Sequence, residues 1–297
     1  MKLKGIVTLV HPSISAAKEA LKAGIPDWIP GLVATAGTWL GVLGVYSLSG
    51  SESTGTYYIA FMIASLVYSL PLSLLTLMFP VLSGMDDGRK RAVSRSVRLT
   101  LAIICPLASV VIAYPYVPLS MLGPSYVASS LALQVLMLGA FVSPLTSGFN
   151  SLIYAYGKYR FVTLLGLSSN GSRILLYPVL VALWGENGAA LSYVSGVFAA
   201  SVAVSFMARK VGYSMGWGYS LIFAGIPSLA GAAVALTGLH WAIGTAAILA
   251  TSLLAYTRLG LITRSDLGEI TTAFLSRKQL DQALPYAKYI LDVLYGK

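Results

Sequence analysis

Charge is what this 297-residue chain has least of: Asp, Glu, Lys and Arg make up 10% of it, while 57% is hydrophobic. A soluble domain carries about 25% charged residues. The deficit leaves no room for a large aqueous domain between the apolar segments, and with it goes catalysis on such a domain. Histidine is nearly absent, with His11 and His240 on opposite predicted sides of a membrane, and no two carboxylates fall within one apolar segment. Metal-ligand clusters and acid–base pairs therefore have nothing to be built from, and we expect neither an enzyme nor a cofactor. The single cysteine, Cys105, sits in an apolar run; it can form no internal disulfide and says nothing of redox compartment. Asn and Gln total six, an avoidance that fits either a thermophile or a membrane composition. The N-terminus, MKLKGIVTLVHPS, is basic but has no full apolar core or cleavage site, so no signal peptide is expected.

What the chain does have is long uncharged runs. From Leu99 to Gly157 no residue ionises near neutral pH; as helix that run would be ~89 Å long, enough for two crossings. Division at Gly, Pro and polar clusters predicts an all-α polytopic membrane protein. Eight crossings are expected, near 25–48, 57–82, 99–117, 127–153, 161–183, 189–208, 219–237 and 242–256. Pro71 predicts a kink in the second, and Gly37, Gly41 and Gly44 form a small-residue stripe for close packing in the first. The transmembrane domain thus spans 25–259. Ahead of it, 1–24 carries Lys2, Lys4, Lys18 and Lys22, with apolar residues from Ile14 to Leu21 spaced for a surface helix. After it, 260–297 holds two amphipathic segments around Leu267, Ile270 and Phe274 and around Tyr289, Ile290 and Val293, expected to lie along the cytoplasmic surface.

The formal charge of +10 does not point to nucleic acid, because the basic residues lie in short loops rather than on one face. With the N-terminus inside, nineteen of the twenty Lys and Arg fall in cytoplasmic segments, as the positive-inside rule requires. The outer loops hold only Glu52 and Glu186. Both termini are therefore expected in the cytoplasm. Trp and Tyr residues cluster near the crossing ends, as interfacial aromatics do; Trp39 alone falls mid-crossing.

The twentieth basic residue is Arg173, midway along the fifth crossing. Some 15–20 Å from either end it is too deep to snorkel, and a charge at that depth is a functional candidate. Two readings stand. It pairs structurally with backbone carbonyls or polar groups of a neighbouring helix, or it is an anion site helped by Ser168, Ser169, Asn170 and Ser172 on the same turns, since a guanidinium matches phosphate oxygens in pairs. Asp27, the one acid near a crossing interior, is either a helix-entry residue favoured by the dipole or lines a cavity. The sequon at Asn170–Ser172 lies at membrane depth, out of reach of glycosylation.

Several stretches taken together resemble a family. KAGIP at 22–26 opens a crossing; YYIAFMIASLVYSLPLSLLTLMFPVLSG at 57–84 precedes a basic loop; LGPSYVAS follows at 122–129, AYGKYR at 155–160 and YPVLVALWGENGAALSYV at 177–194. In that order and spacing the chain resembles the polysaccharide and lipid-linked oligosaccharide flippases (Wzx-like) of the exporter superfamily that includes the MATE drug exporters. The resemblance implies two six-helix bundles facing each other across a cavity plus two further helices, of which this chain is similar to the second bundle and the two extra helices. It implies transport of a polyprenyl-phosphate-linked oligosaccharide across the plasma membrane, with Arg173 among the basic cavity residues. It also implies membrane lipids as neighbours and either a homodimer or a separate six-helix bundle as partner. Half of a MATE-like cation antiporter and a non-transporting assembly subunit are the alternatives.

Overall fold

The computed structural model describes residues 14–76, 78–85, 87–263 and Asp266. The first thirteen residues of the expected surface segment, and the expected amphipathic tail apart from 260–263 and Asp266, lie outside them. Every regular element among the described residues is helical. In order they are α1 (Ile14–Thr76), α2 (Met78–Ser83), α3 (Arg89–Ala113), α4 (Tyr116–Leu122), a 3-10 turn (Pro124–Ser129), α5 (Ser130–Leu138), a 3-10 turn (Gly139–Phe141), α6 (Ser143–Ala155), α7 (Tyr159–Val211), α8 (Trp217–Thr237) and α9 (Trp241–Arg258). Five stretches are long and apolar enough to cross a membrane: Trp28–Ser83, Arg89–Ala113, Pro124–Phe141, Tyr159–Val211 and Trp217–Thr237. The chain is an all-α polytopic membrane protein.

Two of these stretches are helical hairpins. With 63 and 53 residues, α1 and α7 would be ~95 and ~80 Å long if straight, far more than a bilayer. Each breaks at one glycine, Gly50 (φ 82°, ψ −178°) in α1 and Gly185 (φ 55°, ψ −129°) in α7, in backbone regions open to glycine and strained for other residues. The polar loops expected around 49–56 and 185–188 therefore shrink to a single residue each. Helix resumes at once, with Glu52 and Glu186 in the new first turn, where the macrodipole favours a carboxylate. The four limbs, with α3, the segment 124–155, α8 and α9, overlie the eight apolar stretches expected from sequence.

Three expectations need correction. The first crossing is not preceded by a separate surface helix, since α1 is continuous from Ile14 through Pro26 and Pro30. The third ends at Ala113 rather than Val117: Tyr114 precedes Pro115 and takes φ −130°, ψ 57°, because the proline ring disfavours a helical residue before it. The fourth is broken between α5 and α6 instead of running unbroken. There the Tyr68 hydroxyl donates to the Leu136 carbonyl at 2.7 Å, competing for an acceptor of the helical ladder. Pro144, lacking an N–H, leaves the Ala140 carbonyl without its usual donor, and the Ser143 hydroxyl supplies one at 3.3 Å.

Small residues set how close the helices come. Gly37 and Gly41 give up their Cβ positions to Arg173 and Tyr177 of α7, whose atoms lie 2.9 and 2.7 Å from where a methyl would sit, and Gly166 does the same for Pro30. The predicted stripe is thus a packing face at 37 and 41, although Gly44 meets nothing within 4 Å. α8 and α9 pack on α3 and on each other: the Phe223 and Tyr256 rings meet edge to face at 4.7 Å, the Tyr256 hydroxyl donates to the Phe223 carbonyl at 2.6 Å, and Tyr114 donates to the Leu239 carbonyl at 3.0 Å. Cys105 is fully buried in this core.

The basic residues gather at one end of the bundle. Arg89 donates to the Met85 and Ala155 carbonyls at 2.7 and 3.1 Å and lies over the Tyr156 ring. Ser94 reaches the Tyr213 hydroxyl at 3.3 Å. Arg95 grips Asp266 through Nε and Nη2 at 2.9 and 2.7 Å, and Asp266 in turn caps the segment at Thr263. At the opposite end the Glu186 carboxylate accepts from Thr56 and Ser129, both at 2.9 Å, tying the two hairpin turns to the entry of α5.

Candidate functional site

Arg173 lies on the first limb of α7, on the face turned to the first limb of α1. The two limbs meet in register: Gly166, Asn170, Arg173 and Tyr177 pack against Pro30, Ala34, Gly37 and Gly41. Steps of three and four residues on both partners keep a single face in contact. The Arg173 side chain is 6% exposed. Its Nη2 donates to the Ala34 carbonyl at 2.7 Å, its guanidinium lies 5.2 Å from the centre of the Tyr193 ring, and its Nε is buried with no hydrogen-bond partner. Among the described residues no carboxylate forms an ion pair with it. Gly196 makes this possible from the other side, since a Cβ there would lie 2.3 Å from the Ser169 carbonyl and 3.2 Å from the Arg173 Cβ.

The other residues expected at the site divide. Asn170 is 8% exposed and donates to the Pro30 carbonyl at 3.3 Å, so it shares the α1-facing side with Arg173. The Ser168 and Ser172 hydroxyls are spent on their own helix, on the carbonyls of Leu164 and Ser168. Ser169 is half-buried, with its backbone against Gly196. Asp27 falls on α1, and its side chain lies outside the described residues. Among the described residues no three of His, Cys, Asp and Glu come together to hold a metal.

In front of Arg173, between the two limbs of α1, runs an open groove of about 370 Å³ lined by Thr35, Thr38, Trp39, Tyr58, Phe61 and Ser65, with Val42 and Met62. Its hydroxyls bond carbonyls of their own limbs, as Thr38 to Ala34 at 3.0 Å and Ser65 to Met62 at 2.7 Å, so polar oxygen is displayed at membrane depth without breaking the helices. Trp39 is 56% exposed and Tyr58 39%. Phe61 forms the back of the groove and meets Tyr193 edge to face at 5.3 Å. The order from outside inward is groove, Phe61, Tyr193, Arg173. Two aromatic rings, Phe61 and then Tyr193, separate the cation from the groove. A low-dielectric wall of that thickness transmits charge far better than water does, so the groove combines aromatic surface, hydroxyls and a positive field.

Trp39, the mid-crossing tryptophan, was the signal in the sequence for this groove. Tyr193 had none, since its importance comes from meeting Phe61, Tyr68 and Arg173 together.

No protein-family model matches the sequence, and no curated protein does. Among solved structures the chain is similar to the lipid II flippase MurJ in an inward closed conformation, with a TM-score of 0.68 and 17% sequence identity. The likeness covers 86% of this chain and 58% of that one. It establishes a shared fold, with this chain spanning less than two thirds of the length of its neighbour.

Proposed function

We propose that this chain is one helical bundle of a flippase-type transporter that moves a polyprenyl-phosphate-linked oligosaccharide across the plasma membrane, with both termini in the cytoplasm and no catalytic step. The observation that carries the reading is the charged Arg173, with one N–H unpartnered, two aromatic rings behind an open groove of hydroxyls and rings. The fold shared with a lipid flippase supports it. A second bundle, from another copy or a separate chain, covers the groove and completes the path. The first limb of α1 holds the cation through one carbonyl, Ala34; a shift of that limb opens Arg173 to a diphosphate in the groove, while Trp39 and Tyr58 stack on the sugar or isoprenoid next to it. A cation antiporter is disfavoured because, among the described residues, the groove presents no carboxylate.

The test is thermal unfolding in detergent with and without a polyprenyl diphosphate. Wild type should be stabilised by the ligand. Trp39→Ala, exposed and held by no packing core, should fold normally and lose affinity about tenfold, the equivalent of ~1.4 kcal/mol. Arg173→Lys should keep partial affinity and Arg173→Ala should lose it, because charge without the planar fork still attracts phosphate. Ligand stabilisation unchanged in Trp39→Ala and Arg173→Ala makes the proposal wrong, and leaves Arg173 as a helix-to-helix tie and the chain as a non-transporting subunit.

A further inference from the structure

The linker that joins the six-helix part to the α8–α9 hairpin runs between two cavities at the basic end of the molecule. One, of about 310 Å³, has polar lining from Ser94, Arg98, Ser214 and Ser220 and an apolar floor of Val97, Leu101 and Leu145. The other, of about 380 Å³, lies along the same linker and is lined by Ser205, Arg209, Trp217 and Gly218. Tyr213, Ser214, Met215 and Gly216 belong to both walls. Among the described residues no acidic one lines either cavity.

The two arginines differ from their neighbour in a telling way. Arg95, one turn earlier on α3, is neutralised by Asp266. Arg98 is half-buried, lies 5.7 Å from the centre of the Tyr219 ring, and takes no carboxylate or carbonyl partner among the described residues. The ring contact holds the guanidinium beside the cavity that it lines. Arg209 is exposed and likewise without an acidic partner among the described residues. Two arginines, four serine hydroxyls and, among the described residues, no carboxylate line a space with an apolar floor, beside Trp217 and Tyr219, which are 38% and 49% exposed. The apolar side chains of Leu221 and Ile222 continue from there along the outside of α8, 72% and 41% exposed.

We propose that this paired crevice is a binding site for the phosphate headgroup of an anionic phospholipid, held as a resident lipid and not transported, which fastens the α8–α9 hairpin to α3. Arg98 and Arg209 take the phosphate oxygens in charge-assisted hydrogen bonds, the Ser214 hydroxyl, unlike Ser205 and Ser220 not spent on its own helix, donates to a remaining oxygen, and the acyl chains lie on the apolar floor and along α8. Basic crevices between helices at the cytoplasmic face are suited to such headgroups in general. Free phosphate shares the head-on chemistry but has no use for the apolar floor, and this separates the two sources. The site shares no lining residue with the groove of α1, and its test does not involve the transported substrate.

The test uses the purified full chain in neutral detergent, titrated with phosphatidylglycerol, phosphatidylcholine or inorganic phosphate, with retained lipid counted by native mass spectrometry and stability read by thermal unfolding. Phosphatidylglycerol should raise Tm and remain bound, and the other two should not. Arg209→Ala, an exposed position, and Arg98→Ala should each weaken phosphatidylglycerol binding about tenfold, with Arg98→Lys in between. Arg160→Ala removes the same charge from the basic end but lines neither cavity, and should leave binding unchanged. Equal weakening in Arg160→Ala would mean diffuse attraction and no site. Unchanged binding in both Arg98→Ala and Arg209→Ala, or equal stabilisation by inorganic phosphate, would likewise overturn the proposal.

Discussion

At the basic end of the bundle, helix termini are joined by donors: Arg89 reaches the carbonyls of Met85 and Ala155, and Arg95 closes on Asp266. At the opposite end they are joined by an acceptor, the Glu186 carboxylate, which collects the hydroxyls of Thr56 and Ser129 with no cation beside it among the described residues. Both arrangements satisfy polar groups at helix ends that a bilayer cannot. They differ in how they respond to loss. A long, half-exposed arginine has alternatives in water, whereas Ser129, which is fully buried, has none once its acceptor is removed. The acceptor end should be the brittle one.

The largest effect is expected where that end is tightest. The Gly185 turn brings the limbs of α7 so close that a Cβ on Gly188 would lie 1.8 Å from the Leu180 carbonyl. Gly188→Val should therefore cost more than ~3 kcal/mol and lower the yield of folded protein sharply. Gly44→Ala, at an open position, should change Tm little; equal damage from both would show that helix flexibility and not the close approach decides. Next in size is the clasp itself. Glu186→Ala strands the Ser129 hydroxyl, although Thr56 keeps the Ser53 carbonyl at 3.1 Å, and should cost ~1–3 kcal/mol, while Glu186→Gln keeps an acceptor oxygen and should cost well under half of that, both by denaturant unfolding in detergent.

The smallest effect is expected at the basic end and depends on pH. Burial of the Asp266 carboxyl pushes its pKa up, but the hydrogen bonds from Thr263 and the contact with Arg95 outweigh it and hold the group below its usual 3.8. A carboxylate whose folded pKa is depressed contributes stability that is complete above the unfolded value and is lost as pH falls through the folded one. Asp266→Asn should thus lower stability by ~0.5–1 kcal/mol at pH 7, the range of a partly exposed pair, and the gap from wild type should begin to narrow only below about pH 4. A gap that does not narrow at all as pH falls below 3.8 would place the effect in packing and not in charge.

Much of this architecture could be read from hydropathy alone, because a bilayer punishes any unpaired backbone group and so forces apolar segments of fixed length into helices. Arg173 was equally visible, as the one charge at membrane depth. Its acceptor was not: the Ala34 carbonyl is an ordinary backbone oxygen that no side-chain pattern marks. The break in the fourth crossing was hidden for the same reason, since it depends on the Tyr68 hydroxyl arriving from another helix. The hinges at Gly50 and Gly185 were expected as loops of several residues and are one residue each, because the polar residues beside them serve equally well in the first turn of a helix.

The burial of Cys105 has a practical consequence. A thiol enclosed on every side is out of reach of water-borne maleimides, so the wild-type sequence already behaves as a cysteine-free background. A reporter thiol introduced at Glu52 or at Lys210, both exposed and on opposite ends of the bundle, would be the sole target for an impermeant reagent, and the sidedness of the molecule can be read in intact cells without altering its core.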